Sequence, residues 1–311
     1  MRGIGVADAK ILVIKHGALG DLVQGFDAYA GLRAGHPDAY IALLTSPPFS
    51  GMTKLMPWFD EVITDPRASP LNLVQTGRIR SILRAGWDMV IDLQCSRRTA
   101  RYHHFLAVSD CRWFGTAAGA SDPYPDFAGV NNADRMKTGI AMAGGDPAVR
   151  ADLDWLANAD ALPTGYEGAT VLIPGCSRAK PQKRWPAAGF SALARREIAA
   201  GHKVVISGTS ADRDATDAVL RDVPGCLDLV GKTDIAGLAT LLAQAGAVVG
   251  NDTGPVFLAA CSGAPTVMVM GSDTDPKMSA PVGPRADWLK KEVIADISAE
   301  EVAAVLDRLR D

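Results

Sequence analysis

The sequence predicts an α/β fold built from parallel sheets, and two observations support this prediction. Short apolar runs alternate with amphipathic segments from one end of the chain to the other, which is typical of parallel strands whose helical crossovers cover both faces of a sheet. The chain has 311 residues, of which 48% are hydrophobic. At roughly 100–200 residues per domain, this length favours two domains over one.

The first half of the chain predicts five strands and four helices. The strand segments are apolar runs too short for a helix, whereas the helical segments repeat apolar residues at three- and four-residue spacing. Strands are expected at Ile11–Lys15, Tyr40–Thr45, Glu61–Thr64, Met89–Leu93 and Arg112–Gly115. Helices are expected at Asp21–Ala34, Leu71–Ala85, Arg97–Val108 and Asn132–Ala143.

The second half repeats this alternation and ends in a well-marked helix. Its strands are expected at Ala169–Pro174, Lys203–Ser207, Leu227–Val230, Ala247–Gly250 and Thr266–Met270. Its helices are expected at Ala187–Ala200, Asp212–Asp222, Ile235–Ala245, Pro255–Ser262 and Ala299–Arg310. Ser298 followed by Glu301 is a capping box at the start of the last helix.

The boundary between the halves is expected within Asp152–Gly168, where WLANADALPTGYEG has a proline, two glycines and no clear periodicity. We therefore predict two Rossmann-like domains, residues 1–160 and 161–311, whose parallel sheets face each other across a cleft. The last helix is a candidate to pack back on the first domain.

Composition excludes several classes of protein. The net charge of −3 argues against a general nucleic-acid-binding protein. Five scattered cysteines without a CxxC pair indicate neither a disulfide framework nor a zinc site, and instead suggest reduced thiols. The N-terminal MRGIGVADAKILVIK lacks the layout of a signal peptide, and no apolar run approaches the ~20 residues of a membrane span. We expect a cytoplasmic protein.

Ligands of parallel α/β sheets bind outside the carboxyl ends of the strands, so the strand-to-helix turns are the places to search. The first unusual turn is KHGALGDLVQGF, residues 15–26, which contains Gly17, Gly20 and Asp21. Asp21 either complements the dipole of the helix that it opens or presents a carboxylate that accepts a proton from a hydroxyl at the floor of the cleft.

The turn after the first strand of the second domain is strongly basic. In IPGCSRAKPQKRWP, residues 173–186, the cations are Arg178, Lys180, Lys183 and Arg184. They form either a solvated charged loop or a diphosphate site, because clustered cations and free backbone N–H groups both bind phosphate oxygens.

A third junction, GNDTGP at residues 250–255, also leads from a strand into a helix. Pro255 suits the first helical turn, and the free N–H groups and dipole of a helix start favour an anion. A turn and a helix cap alone explain Asp252 and Gly254. The basic loop at the start of the same domain favours a phosphate site that also includes Thr253.

The stretch IDLQCSRRTARYHH, residues 91–104, places a basic patch on a chain that is acidic overall. Its charged and imidazole groups belong to Arg97, Arg98, Arg101, His103 and His104. The patch is either a solvated helix face or a site for an anionic acceptor. The two histidines lack an acidic or cysteine partner at a helpful spacing, so we do not expect a metal site.

Together these stretches resemble glycosyltransferase family 9, the ADP-heptose:lipopolysaccharide heptosyltransferases. The matching segments are KHGALGD, VIDLQCSRRTA, IPGCSRAKPQKRWP and GNDTGPVFLAACSGAPTVMVMGSDTDP, in this order over nearly the whole chain. The resemblance implies the GT-B fold, with the acceptor held by the first domain and the nucleotide sugar mainly by the second. It also implies inverting catalysis without a metal or another cofactor.

The same resemblance implies a role for each matching residue. Asp21 falls on the proposed general base, and Lys183 falls on the cation that steadies the departing diphosphate. The implied donor contacts are Ser177, Lys180, Arg184, Asp252, Thr253 and Gly254, with Asp212 or Asp214 at the ribose. Acceptor contacts are expected at Lys15 and Gln94, which lie in the matching segments, and at Arg98 and Arg101 of the basic patch.

The implied partners are ADP-heptose as donor and an anionic glycan or lipid-linked acceptor, such as the lipopolysaccharide core. A peripheral contact with the cytoplasmic face of the inner membrane follows from such an acceptor, whereas no nucleic-acid partner is expected. A dehydrogenase is disfavoured because no GxGxxG follows the first strand of either half, and a Walker A motif is also absent.

Two residues depart from the family pattern. Phe257 stands where Gly-Pro-Met-His-Leu-Ala has a histidine, and Cys95 replaces a glycine after Asp-Leu-Gln, where it narrows the cleft near the acceptor. The change at Phe257 leaves open a GT-B transferase or epimerase that uses another nucleotide sugar. A catalytically degenerate sugar-nucleotide-binding protein is a separate alternative.

Overall fold

The structure, a computed structural model, describes residues 9–107, 111–157, 165–176 and 181–311. The chain divides into two compact units, Met1–Asp152 and Leu153–Asp311. Each unit contains one parallel sheet with its own buried core. The predicted α/β class is therefore confirmed.

The sheet of the first unit has six parallel strands in the order β3-β2-β1-β4-β5-β6. These strands are β1 (Lys10–Ile14), β2 (Tyr40–Thr45), β3 (Glu61–Thr64), β4 (Met89–Asp92), β5 (Arg112–Gly115) and β6 (Asp122–Pro123). β1 lies at the centre, where Ile11 pairs with Ile41 on one side and Met89 on the other. The four apolar residues of β1 are fully buried, as expected for a strand covered on both faces.

The described helices of the first unit are α1 (Leu19–Val23), α2 (Phe26–Gly35), α3 (Ser50–Thr53), α4 (Leu73–Leu83), α5 (Arg97–Leu106) and α6 (Asn132–Met142). The prediction of one helix over Asp21–Ala34 was wrong, because this segment forms α1 and α2. The break falls at Gly25, where an added Cβ would lie 2.4 Å from the Tyr29 ring. Glycine is also the weakest helix former apart from proline.

The sheet of the second unit has the order β12-β11-β10-β7-β8-β9 and is again parallel. Its strands are β7 (Thr170–Ile173), β8 (Val204–Ile206), β9 (Leu227–Asp228), β10 (Ala247–Asn251), β11 (Thr266–Met270) and β12 (Ala286–Lys290). Numbered from its own first strand, this order is the same as that of the first unit. Both are the doubly wound order 3-2-1-4-5-6.

The described helices of the second unit are α7 (Ala187–Ala199), α8 (Arg213–Asp222), α9 (Ile235–Ala243), α10 (Gly254–Cys261), α11 (Pro276–Ser279) and α12 (Ala299–Arg310). The predicted capping box of α12 is confirmed, with Ser298 and Glu301 bonded reciprocally. α12 packs against α7 and β11 within the second unit. Among the residues described, no helix is both long and apolar enough to cross a membrane.

Candidate active site

The strand order places the unusual turns in pairs. Strand order reverses between β1 and β4 in the first sheet and between β7 and β10 in the second. Crevices at such reversals, at the carboxyl ends of the strands, are where α/β folds bind ligands. The four stretches singled out in the sequence follow these four strands, so each unit brings two of them together.

Asn251 connects the two turns of the second unit. Its buried side chain donates from Nδ2 to the Pro174 carbonyl oxygen at 2.8 Å, and its Oδ1 accepts from the Trp185 N–H at 2.8 Å. A single amide at the end of β10 thus holds both ends of the basic loop that follows β7. The sequence shows Asn251 at a turn, but not this bridging contact.

Lys183 and Asp252 form an ion pair between Nζ and Oδ2, with side chains only 14% and 11% exposed. The Thr274 hydroxyl donates to the same carboxylate oxygen at 2.8 Å. Partial burial strengthens the attraction because water screens it poorly. The pair holds the Lys183 ammonium at the switch point of the second sheet.

The start of α10 lies beside this ion pair. Thr253 is its N-cap residue in an extended conformation, its side chain makes no capping bond, and Pro255 occupies the first turn. Gly250 permits the close packing of α10 on the sheet, because an added Cβ would lie 2.7 Å from the Val256 Cγ2. Uncapped N–H groups and the positive end of the helix dipole make this terminus suitable for an anion.

Arg184 is held at this crevice by Asp214 and by the backbone of Cys176. Its Nη1 donates to Asp214 Oδ2 at 2.7 Å and its Nη2 to the Cys176 carbonyl oxygen at 3.3 Å. The bond to the Asp214 carboxylate is the main cause that raises the pKa of Arg184.

The two carboxylates predicted near the ribose have different surroundings. Asp212 accepts from the Thr209 N–H at 2.9 Å and hydroxyl at 2.7 Å, and it fills the space that Gly175 leaves open. Asp214 is more than half exposed and pairs with Arg184. Asp214 is therefore the carboxylate more accessible to a ligand. Ser177 and Lys180 lie outside the described residues.

In the first unit, Lys15 is buried at the end of β1 and its Nζ donates to the Leu93 carbonyl oxygen at 3.1 Å. Burial lowers the pKa of Lys15, and the nearby Asp21 carboxylate opposes this effect. Asp21 lies in the first turn of α1, where Asn132 Nδ2 approaches its Oδ1 at 3.4 Å. The structure thus brings Lys15 and Asp21 together, and leaves the carboxylate half-buried.

Gln94 joins the turns after β1 and β4, since its Oε1 accepts from the His16 N–H at 2.8 Å. The buried His16 ring lies 2.8 Å from Asp65 Oδ2, to which the Tyr102 hydroxyl also donates at 2.6 Å. Burial alone would raise the pKa of Asp65, but bonds from His16, Tyr102 and the Arg67 amide outweigh it and lower this pKa to about 2. This network could not be predicted from the sequence, because its members are far apart in the chain.

A cavity of about 430 Å³ opens where β4, β5 and β6 end. Its lining includes Cys95, Tyr124, Phe127 and Arg135. The Arg135 guanidinium lies 5.3 Å from the centre of the Phe127 ring, and its Nε is buried without a partner among the residues described. Cys95, at φ 47°, adopts a left-handed conformation that favours glycine. Only Cys95 was singled out in the sequence.

Arg98 and Arg101 line a different cavity, of about 620 Å³, between α4 and α5. Arg98 donates to the carbonyl oxygens of Ala68 at 3.0 Å and Arg67 at 2.9 Å, so it holds the loop after β3. The structure therefore places the predicted acceptor residues in two groups. Lys15 and Gln94 lie at the switch point, whereas Arg98 and Arg101 lie along α5.

Within the described ranges, no group of three or more histidine, cysteine, aspartate or glutamate side chains is placed to hold a metal ion. The positive charge at the second switch point comes from Lys183, Arg184 and the start of α10. These groups are suited to bind phosphate oxygens directly.

Comparison with known families gives a match over more than half of the chain. Residues 133–302 match the family described as Glycosyltransferase family 9 (heptosyltransferase). This range contains the basic loop after β7 and the junction at residues 250–255, but not the turns after β1 and β4.

Comparisons with individual proteins extend the similarity to most of the chain. Lipooligosaccharide heptosyltransferase 2 of Haemophilus influenzae is 25% identical over 314 residues, which cover 90% of this chain and 88% of that protein. Two solved structures share the fold. ADP-heptose lipopolysaccharide heptosyltransferase II of E. coli covers 97% of this chain and 98% of its own, with a TM-score of 0.77 and 22% identity. E. coli heptosyltransferase WaaC with ADP covers 96% and 99%, with a TM-score of 0.82 and 19% identity.

Proposed function

Since the chain belongs to glycosyltransferase family 9 (heptosyltransferase), we propose that it transfers a heptose from ADP-heptose to a sugar of the lipopolysaccharide core or a related acceptor. The observation that carries this proposal is the pairing of turns at the two switch points. One pair presents a carboxylate beside a buried lysine, and the other presents cations beside a free helix start. Glycosyl transfer from a nucleoside diphosphate needs both kinds of group.

We place the donor diphosphate on the second unit, against Lys183 and the start of α10. The oxygens of the diphosphate compete with Asp252 for the Lys183 ammonium, while the Thr253 and Gly254 end of α10 offers N–H groups. Arg184 adds a second cation, and Asp214 is the better placed of the two candidate ribose contacts because it is the more exposed. By sequence pattern, Ser177 and Lys180 belong to the same loop.

We place the acceptor on the first unit, with Asp21 as general base. An acceptor hydroxyl gives its proton to the Asp21 carboxylate as its oxygen forms a bond to the anomeric carbon of the heptose. The bond from that carbon to the diphosphate oxygen breaks, and ADP leaves with the electron pair. Attack from the face opposite the leaving group inverts the anomeric centre.

Lys183 and the N–H groups of α10 stabilise the charge that develops on the departing ADP. Donors fixed before the reaction need no reorganisation when the charge appears, and loss of one such donor commonly costs 10²–10³-fold in rate. Lys15, held beside Asp21, is placed to contact the same acceptor. We propose that this arrangement works without a metal ion, so activity is expected to persist in a chelator.

We propose that the 430 Å³ cavity beside Cys95 receives an anionic part of the acceptor. Within the described parts of the chain the Arg135 Nε has no partner, so it supplies a donor for a phosphate or carboxylate. The Tyr124 and Phe127 rings offer faces for a sugar. We propose that Arg98 and Arg101 contact a more distant part of the acceptor. With a lipid-linked acceptor, the chain acts in the cytoplasm and in peripheral contact with the membrane that holds it.

The first test is calorimetric titration of the purified chain with ADP, UDP and GDP in the presence of EDTA. Selective binding of ADP is expected, with loss of at least tenfold in affinity for Lys183→Met, because the ammonium is a direct phosphate contact. Lys290→Met is the matched control, since Lys290 is an exposed lysine on β12 of the same unit.

Three other outcomes would contradict parts of the proposal. Preference for UDP or GDP would mean that the donor carries another nucleotide, which is the alternative raised by Phe257. Equal losses of ADP affinity in Lys183→Met and Lys290→Met would exclude Lys183 as a direct phosphate contact. Selective ADP binding without transfer to any heptose-accepting core glycan would favour a sugar-nucleotide-binding protein.

A further inference from the structure

Positive charge is segregated on the first unit, and it extends well beyond Arg98 and Arg101, the two arginines assigned to the acceptor. Residues 66–87 and 93–107 contain seven arginines and no aspartate or glutamate, although the whole chain has a net charge of −3. These segments include α4, α5 and the loop after β3. A single-sign region of this kind attracts polyanions or anionic surfaces.

The outward side of α4 adds apolar side chains to this charge. Leu73 and Val74 are each 79% exposed, and Leu71, just before the helix, is 89% exposed. Arg80 and Arg84 follow Leu73 at seven and eleven residues, which places them on the same stripe of the helix. The inward side buries Ile79 and Leu83. No described part of the first unit covers the outward side.

α5 continues the same surface. Its exposed residues are Arg97, Arg101, His104 and Phe105, with the Phe105 ring 67% exposed. Their spacing places them on one side of the helix. α5 packs against α4, and both helices line the 620 Å³ cavity. We name the exposed residues 71, 73, 74, 80, 84, 97, 101, 104 and 105 the α4–α5 surface.

We propose that the α4–α5 surface docks this chain on the face of an anionic lipid bilayer. Aliphatic and aromatic side chains surrounded by arginines are the composition of interfacial membrane-binding elements, in which apolar groups enter the headgroup region and cations contact lipid phosphates. Exposed leucine and valine are not what a nucleic-acid-binding surface uses, because such surfaces are polar and positively charged. Charge and apolarity together therefore favour lipid.

The location of the surface suits a lipid-linked acceptor. α5 begins at Arg97, three residues after Gln94 at the first switch point. A bilayer beneath α4 and α5 lies close to the carboxyl edge of the first sheet, where the acceptor is proposed to bind. Only the purpose of the docking rests on the proposed function. The docking itself does not, because binding to lipid requires neither donor nor acceptor.

The test is sedimentation of the full chain with vesicles of phosphatidylcholine alone or with one third phosphatidylglycerol, without substrates. Binding is expected only to the anionic vesicles, and it should weaken as salt rises. The Arg80→Gln/Arg97→Gln variant is expected to bind about 25-fold more weakly, at roughly fivefold per arginine. Leu73→Ser/Val74→Ser is expected to lose at least tenfold, because two apolar side chains no longer enter the interface.

Matched controls come from the second unit. Val282 is 75% exposed and Arg221 is an exposed arginine near the end of α8, so Val282→Ser and Arg221→Gln change comparable groups elsewhere. Both controls should bind vesicles as the unchanged chain does. Circular dichroism establishes that every variant is folded.

Several results would overturn the docking proposal. Equal binding to both kinds of vesicle, equal losses in the controls, or unchanged binding in Leu73→Ser/Val74→Ser would each do so. Tighter binding to RNA than to anionic vesicles would assign the surface to nucleic acid instead. Failure of ADP binding with intact vesicle binding would count against the proposed function alone.

Discussion

Asp21 is the residue whose replacement most directly probes the proton transfer. Asp21→Asn keeps the size of the side chain and removes its ability to take a proton, so kcat should fall by about 10²–10⁴-fold. The affinity for ADP should not change, since the donor is placed on the other unit. The measurement is heptose transfer from ADP-heptose under saturating donor, followed by mass spectrometry.

Asp38→Asn serves as the control for this variant. Asp38 is an exposed aspartate of the same unit, in the turn before β2 at the opposite edge of the sheet. Near-normal kcat in Asp21→Asn would exclude Asp21 as the base. A loss shared by Asp38→Asn would point to a general effect of charge on the unit.

Asp65 gives a prediction about pH. Its pKa of about 2 lies below the ordinary 3.8, so ionised Asp65 contributes stability that is present above pH 4 and lost as pH falls toward 2. The shift corresponds to about 2 kcal/mol. Asp65→Asn should therefore show a shallower fall in the free energy of unfolding, measured with urea from pH 5 to 3. Parallel pH profiles for the two proteins would contradict this role.

Residues at the two switch points were easier to predict from the sequence than their partners. Asp21, Lys183 and Thr253 follow strands, and a strand-to-helix turn is visible in sequence because glycine and proline mark it. The bond from His16 to Gln94 and the bridge made by Asn251 depend on which strands are neighbours. Residue spacing does not contain that information, so these contacts could not be predicted.

At the scale of single elements, α12 depends on one buried carboxylate. Glu197 on α7 is fully buried and accepts from Arg310 at 2.5 Å and from the Thr170 hydroxyl at 2.7 Å. Burial alone would raise the pKa of Glu197, but these bonds outweigh it and lower the pKa. The last turn of α12 is thereby tied to β7 and α7.

Loss of this tie should be costly. Arg310→Met leaves the Glu197 charge buried without its main partner, and such losses typically cost about 3–5 kcal/mol in the free energy of unfolding. The double variant Arg310→Met/Glu197→Leu should be more stable than Arg310→Met, because no unpaired charge remains. Urea unfolding of the three proteins measures this. A double variant less stable than Arg310→Met would show that the buried charge is not the cause of the loss.

Elements were predictable from sequence where the apolar pattern was strong, and missed where it was weak. β2, β3, β5, β11 and α12 have the predicted bounds. β12 was missed because it is an edge strand whose residues ADWLK are half-buried or exposed, so it has no continuous apolar run. β6 has only two residues, too few for any periodicity.

At the scale of the whole molecule, the same strand order occurs twice with opposite chemistry. The first switch point carries the Asp21 carboxylate, and the second carries the Lys183 ammonium. We propose that these equivalent topologies serve a proton acceptor in one unit and an anion site in the other. Alternating strands and helices predicted the α/β class, but the order of strands in each sheet came only from the structure.

ADP should therefore stabilise the chain through the second unit alone. At a concentration 100 times its Kd, a ligand that binds only the folded state adds about 2.7 kcal/mol. Thermal unfolding should show this increase for the unchanged chain and for Asp21→Asn. Lys183→Met, with an affinity at least tenfold weaker, should gain at most about 1.4 kcal/mol at the same ADP concentration. Equal stabilisation of Lys183→Met would place ADP elsewhere.

The acid-free α4–α5 surface also bears on how quickly acceptor is found. A chain held on a bilayer searches two dimensions rather than three. Because enzyme and lipid-linked acceptor are then held on the same surface, they meet at a high effective concentration. Turnover would then follow the density of acceptor in the membrane rather than its bulk amount. Diluting the vesicles with neutral lipid would slow the reaction, even with the total acceptor and enzyme unchanged.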